Sequence, residues 1–271
     1  MIQEKRIDLG KTNQGNFAFT IGDEKIGNGE EYSVAQCVTE EKSPLQGKTI
    51  YWLGSSITYG FGSKGESMAD FIARKTGSIS YKSAISGTTL AEIPYDKEDE
   101  TNPWKFLGRD ENSLAETAEQ SYVSRLTDFP EDGKPDAFVI QVSTNDSQFP
   151  PQYQGTISAQ GENFDIHTTF GAMEFIISYI KKKWNCPVMF YTSPLLDSDN
   201  YRSMVEATKK ICKKWNVDLL DMNGDEAFNQ KGKEQFDFYM VDWVHPTRAG
   251  YQLWWTPVFE EKLMEIIRNG E

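Results

Sequence analysis

Two histidines occur in the whole chain, His167 and His245. His245 stands in Asp242-Trp243-Val244-His245-Pro246-Thr247, with a carboxylate three residues before the imidazole. On a turn, that spacing lets the carboxylate reach Nδ1-H and fix the tautomer that leaves Nε2 free as a general base. A base needs a nucleophile to activate, and Gly54-Ser55-Ser56-Ile57-Thr58-Tyr59-Gly60 offers hydroxyls among small residues. Ser56 is the first candidate and Ser55 the alternative one residue away. Read alone, the histidine string is an Asp-capped turn and the serine string a Gly/Ser-rich turn. The scarcity of imidazoles gives His245 its weight as the partner of Ser56. His167 has no Asp three residues before it and reads as a loop residue or part of a site's mouth.

Two further strings supply hydrogen-bond donors. In Val142-Ser143-Thr144-Asn145-Asp146, an Asn following a strand can aim its amide at a developing oxyanion, a contact worth about 3 to 4 kcal/mol in analogous sites. Asn and Asp are also ordinary loop formers. Ser86-Gly87 offers a backbone N-H with no side chain in the way, although a turn glycine is the plainer reading.

The elements that must position these residues are readable as apolar runs and helical stripes. TIYWLG (49 to 54), DAFVIQVS (136 to 143), PVMFYT (187 to 192) and VDLLD (217 to 221) read as buried parallel strands, and SISYKSAI (78 to 85) as a further one. SMADFIARKTG (67 to 77) opens on Ser and closes on Gly, as helices do. Ala172, Phe175, Ile176, Tyr179 and Ile180 form one helical stripe; Met204, Thr208, Ile211, Cys212 and Trp215 form another. A last helix is expected to start or kink near Pro257. Alternation of strand and helix predicts a mostly parallel sheet with helices on both faces and a site at the strands' carboxyl ends.

Two regions depart from this rhythm. NFAFTI (16 to 21) and YSVAQCV (32 to 38) alternate around a Gly-rich stretch, which predicts a β-rich extension over residues 1–46 ahead of a main domain over 47–271. That extension is a candidate element for a partner or for self-association. The stretch from Glu92 to Glu116 is acidic, contains Pro94 and Pro103, and reads as a long irregular excursion, functional or merely solvated.

Composition narrows the function classes. Asp and Glu number 41 against 28 Lys and Arg, a formal charge of −13, which argues against nucleic acid and anionic membrane as partners. No run of about 18 apolar residues is present, and MIQEKRIDLG lacks the features of a secretory signal. Cys37, Cys186 and Cys212 are odd in number and show no CxxC spacing, so neither a disulfide framework nor a zinc site is expected, and a reducing cytoplasm is the expected compartment. No metal or other cofactor is expected.

Taken together, GSSIT, Ser86-Gly87, STND and DWVH, in this order, resemble the four blocks of the SGNH hydrolases, also called GDSL-type esterases. The resemblance covers residues 47 to about 270. It implies a three-layer α/β/α flavodoxin-like sandwich with about five strands. Carried over by position, it implies Ser56 as nucleophile, His245 as base and Asp242 as its orienter. The oxyanion hole would comprise the Ser56 N-H, the Gly87 N-H and the Asn145 amide. Two departures stand out: Ser55 replaces the Asp usual before the nucleophile, and Ser143 replaces the Gly usual at the head of the Asn block. The expected activity is hydrolysis of carboxylic esters, short acyl or acetyl groups on a small molecule or saccharide. The alternative is a catalytically silent carbohydrate-binding or scaffolding protein on the same fold.

Overall fold

Five runs form strands in the computed structural model, which describes residue 22 and residues 24–107, 111–159 and 163–270. They are β1 (Thr49–Gly54), β2 (Ile79–Ala84), β3 (Ala137–Gln141), β4 (Val188–Tyr191) and β5 (Asp218–Leu220). All pair in parallel, in the order β2-β1-β3-β4-β5. The chain steps from β1 to one side and then returns past it to β3. This reversal makes the carboxyl ends of β1 and β3 the place where ligands bind in open α/β sheets. β3 is buried along its whole length, which is why its sequence runs apolar without alternation.

The helices follow their sequence signals. After β1 come the short α1 (Ser56–Tyr59) and α2 (Met68–Thr76). Ser67 and Asp70 form a reciprocal capping box at the start of α2, and Gly77 ends it in the left-handed region. α3 (Glu111–Ala118) precedes β3; α4 (Thr169–Lys183) and α5 (Asp199–Trp215) flank β4. After β5 come α6 (Glu226–Glu234), α7 (Phe236–Tyr239) and α8 (Thr256–Gly270). A π-helical turn, Gly250–Trp255, runs directly into α8, and Pro257, which has no N-H to give to that turn, stands just after the junction.

Alternate strand residues feed two cores. Tyr51, Leu53, Phe138 and Ile140 pack with Met173, Ile176 and Ile211 of α4 and α5. Ile50, Trp52 and Val139 pack with Phe71 of α2 and Phe259 and Leu263 of α8. This is the expected α/β/α sandwich. No described helix is long and apolar enough to cross a membrane.

One expectation needs correction, and one open reading is narrowed. The run at 32 to 38 is not a strand: Glu30–Tyr32 and Val34–Gln36 are 3₁₀ turns. Val34 and Cys37 are buried in the α2/α8 core, so this part of the extension joins the main domain's packing. A seven-residue apolar alternation fits either geometry, and here local i→i+3 bonds satisfy the backbone. The companion run at 16 to 21 lies outside the described residues. The acidic excursion is not merely solvated either. Trp104 is fully buried, its Nε1-H donates to the Ile93 carbonyl at 2.7 Å, and Leu114 of α3 joins the same core.

Candidate active site

Ser56 opens α1, directly beyond β1, and is itself buried. His245 is presented by a loop held in a narrow fold. Val241 N-H donates to the His245 carbonyl at 2.9 Å, and Thr247 N-H to the Tyr239 carbonyl at 2.9 Å. The two loops touch at Gly62, where a Cβ would lie 2.7 Å from the Pro246 carbonyl oxygen, a contact only glycine permits. Asn28 ties them together, its Nδ2 donating to the Gly62 carbonyl at 2.8 Å and its Oδ1 accepting from Arg248 N-H at 2.9 Å. Arg248 in turn pairs with Glu30 at 3.0 Å and Glu66 at 2.6 Å. The segment ahead of β1 therefore braces the histidine loop.

Across this junction, His245 Nε2 lies 2.8 Å from Ser56 Oγ. His245 Nδ1 lies 2.9 Å from Asp242 Oδ2 and 3.1 Å from Oδ1. Asp242 Oδ1 also accepts from the N-H groups of Val244 at 2.7 Å and His245 at 2.8 Å. Burial alone would push the Asp242 carboxyl up, but the His245 ring and these two N-H groups outweigh it and hold the carboxyl below its usual range. The imidazole is thereby oriented at both ends. On α1, the Tyr251 hydroxyl of the π-helical turn donates to the Ile57 carbonyl at 2.6 Å, bracing the serine's helix from behind.

Ser55 is fully buried, and its hydroxyl accepts from Gln141 Nε2 at 3.0 Å, so its geometry does not suit a nucleophile. Gln141 Oε1 accepts from the N-H groups of Ser55 at 3.0 Å and Thr58 at 3.3 Å, and from the Thr58 hydroxyl at 2.9 Å. Because backbone N-H groups only donate, this set fixes which end of the amide is the oxygen.

Gly87 has φ +86°, a left-handed conformation that favours glycine. Asn145 follows β3, and its Nδ2 donates to the carbonyl of Thr88, next to Gly87, at 2.8 Å. Asn145 and the glycine turn are thus neighbours. Among the described residues, neither Ser56 N-H nor Gly87 N-H is engaged by an acceptor. Ser143, which stands where the family's Asn block usually begins with Gly, turns its hydroxyl back to accept from Asn145 N-H at 3.2 Å. Asp146 accepts from Leu90 N-H at 2.8 Å and the Thr169 hydroxyl at 3.0 Å, and burial raises its carboxyl. His167 lies apart, its Nδ1 against the Glu92 carbonyl, as a loop residue.

Gln141, Asn28 and Arg125 were not singled out by sequence reasoning. Gln141 had a signal, since it is the one polar residue inside the apolar run AFVIQV. Asn28 and Arg125 had none.

No curated protein matches this chain. Among solved structures, one from Lactobacillus plantarum is 19% identical and superposes with a TM-score of 0.54, covering 83% of this chain and 99% of that one. A protein of GDSL-like lipase type from Bacteroides uniformis is 15% identical, with a TM-score of 0.56 over 81% and 97% of the two chains. Another of that type from Bacteroides ovatus is 17% identical, with a TM-score of 0.51 over 83% and 97%. At these identities the likeness is one of fold. The model of the GDSL-like Lipase/Acylhydrolase family matches residues 52–253, more than half of the chain and all four blocks above. The protein is therefore a member of the GDSL-like lipase/acylhydrolase family.

Proposed function

We propose that this hydrolase cleaves carboxylic esters through an acyl-enzyme on Ser56. The observation that carries the reading is the continuous relay from Ser56 Oγ to His245 Nε2 at 2.8 Å and from His245 Nδ1 to Asp242 at 2.9 Å. In the first step Ser56 Oγ attacks the ester carbonyl carbon while its proton passes to Nε2. The Asp242 carboxylate stabilises the imidazolium so formed. The carbonyl oxygen, now anionic, accepts from Ser56 N-H, Gly87 N-H and the Asn145 proton not given to Thr88. His245 returns the proton to the departing alkoxide, releasing the alcohol. Water, deprotonated by the same base, then attacks the acyl carbonyl and frees the acid.

For the substrate, we favour a short acyl group, acetyl above all, on a saccharide. Trp243 stands between Asp242 and His245, is 60% exposed, and packs against Phe236 with ring centroids 4.4 Å apart. A flat, supported indole beside the base offers a stacking face for a sugar ring. The other large apolar residues exposed among the described ones are Ile26, Val38, Ile79 and Leu253, at separate points of the chain rather than in one run suited to a lipid interface. No specific observation favours the silent-binder reading, since the serine, imidazole and carboxylate are in contact. A fluorophosphonate should label the wild type at Ser56, and acetyl esters should turn over faster than decanoyl esters. Labelling of Ser56→Ala to the same extent would refute the mechanism, and faster decanoyl turnover the acyl preference.

A further inference from the structure

Arg125 is buried although its side chain is charged, and a buried guanidinium survives only where its N-H groups are satisfied. Four hydrogen bonds do so. Nε donates to the Gln120 carbonyl at 3.0 Å and Nη1 to Ser83 Oγ at 2.9 Å. Nη2 donates to the Gly54 carbonyl at 2.8 Å and to Thr88 Oγ1 at 3.0 Å. The nearest carboxylate on this path, Asp128, is reached only through the Ser83 hydroxyl, which donates to it at 2.7 Å. Burial pulls the guanidinium down to about 10, still far above neutrality, so it remains a cation.

The identity of these acceptors matters. Gly54 ends β1 two residues before Ser56, and Thr88 follows Gly87. One nitrogen therefore bridges the two loops whose N-H groups would have to converge on an oxyanion. Thr88 is also held by Asn145, which donates to its carbonyl. We propose that Arg125 is a positioning residue for the reaction, a clamp that sets the separation between the Ser56 and Gly87 N-H groups. This rests on the acyl-enzyme reading given above. Donors of this kind must be held within about 0.5 Å of the productive geometry, and a planar, forked guanidinium does this where a flexible ammonium does not.

The experiment is a double-mutant cycle on p-nitrophenyl acetate with Arg125→Lys, Thr88→Val and the pair, folding being checked by circular dichroism. Arg125→Lys keeps the charge and loses the fork. Its kcat should fall about 10- to 100-fold, with KM held within about threefold. Thr88→Val should lower kcat less, and the pair should fall no further than Arg125→Lys alone, because both remove one bridge. Wild-type kcat in folded Arg125→Lys, or single effects that multiply in the pair, would overturn the clamp. If Arg125→Lys does not fold, Thr88→Val decides, and an unchanged kcat in it overturns the proposal. Amide hydrogen exchange at Thr88, whose N-H donates to the Ile85 carbonyl at 3.4 Å, separates this from the fate of the mechanism. Exchange there should quicken at least tenfold in Arg125→Lys or Thr88→Val whether or not Ser56→Ala abolishes turnover, and unchanged exchange overturns the clamp.

Discussion

Gln141 and Ser55 exchange two hydrogen bonds, Ser55 N-H to Oε1 at 3.0 Å and Nε2 to Ser55 Oγ at 3.0 Å. Through the same Oε1 a side chain from β3 also caps Thr58 N-H, so α1 is capped from across the sheet rather than from its own sequence. Ser55 occupies the place where the family's block usually has Asp, and here the neutral Gln141 amide is the acceptor for the turn's N-H groups. Gln141→Leu leaves two buried N-H groups unmet, and the expected loss is about 2 to 4 kcal/mol in urea unfolding. A loss below about 0.5 kcal/mol would show that the cap carries no stability.

Asn145 gives one amide proton to the Thr88 carbonyl, and in the proposed mechanism the second meets the substrate's oxyanion. Asn145→Ala is expected to lower kcat about 10²- to 10³-fold with little change in KM, as removal of an oxyanion donor does. Equal kcat in the variant and the wild type would remove Asn145 from the oxyanion hole.

Asp242 has its carboxyl held low in the folded protein, despite burial, by His245 and two N-H groups. A folded value below the unfolded one of about 3.9 means that the stability gained is present above that pH and lost as pH falls through the folded value. The wild type should therefore be more stable than Asp242→Asn at pH 7, with the gap closing below about pH 4. Because the side chain is 48% exposed, solvent screening keeps the gap small, under about 1 kcal/mol. A gap constant from pH 7 to pH 3 in thermal melts would contradict this assignment.

Trp243 should matter for the alcohol rather than for the chemistry. With Trp243→Ala, KM for an acetylated oligosaccharide should rise about tenfold, consistent with losing one stacking contact of roughly 1.4 kcal/mol. Turnover of p-nitrophenyl acetate should stay within about twofold. A parallel fall for both substrates would place Trp243 in support of the histidine loop instead.

Much of the frame was legible because its signals are local. The apolar runs of β1 and β3, the Ser67 and Gly77 boundaries of α2, and the serine, Asn and Asp-x-x-His strings each lie within a few residues. What escaped reading is held together at long range. Gln141 meets Ser55 across 86 residues, and Arg125 meets Gly54 across 71, separations at which no periodicity operates. The run at 32 to 38 misled for the opposite reason, since seven residues are too few to tell strand alternation from successive 3₁₀ turns. Trp104 lay in an acidic stretch whose composition hid the buried side chains, Ile93 and Leu114 among them, that anchor it.

The most direct test of Ser56-dependent ester chemistry is p-nitrophenyl acetate hydrolysis by the wild type and Ser56→Ala side by side, with circular dichroism showing both folded. The account predicts turnover in the wild type and a drop of at least about 10³-fold in the variant. Equal turnover by the two would contradict it, and would move the nucleophile away from Ser56 despite its 2.8 Å contact with His245.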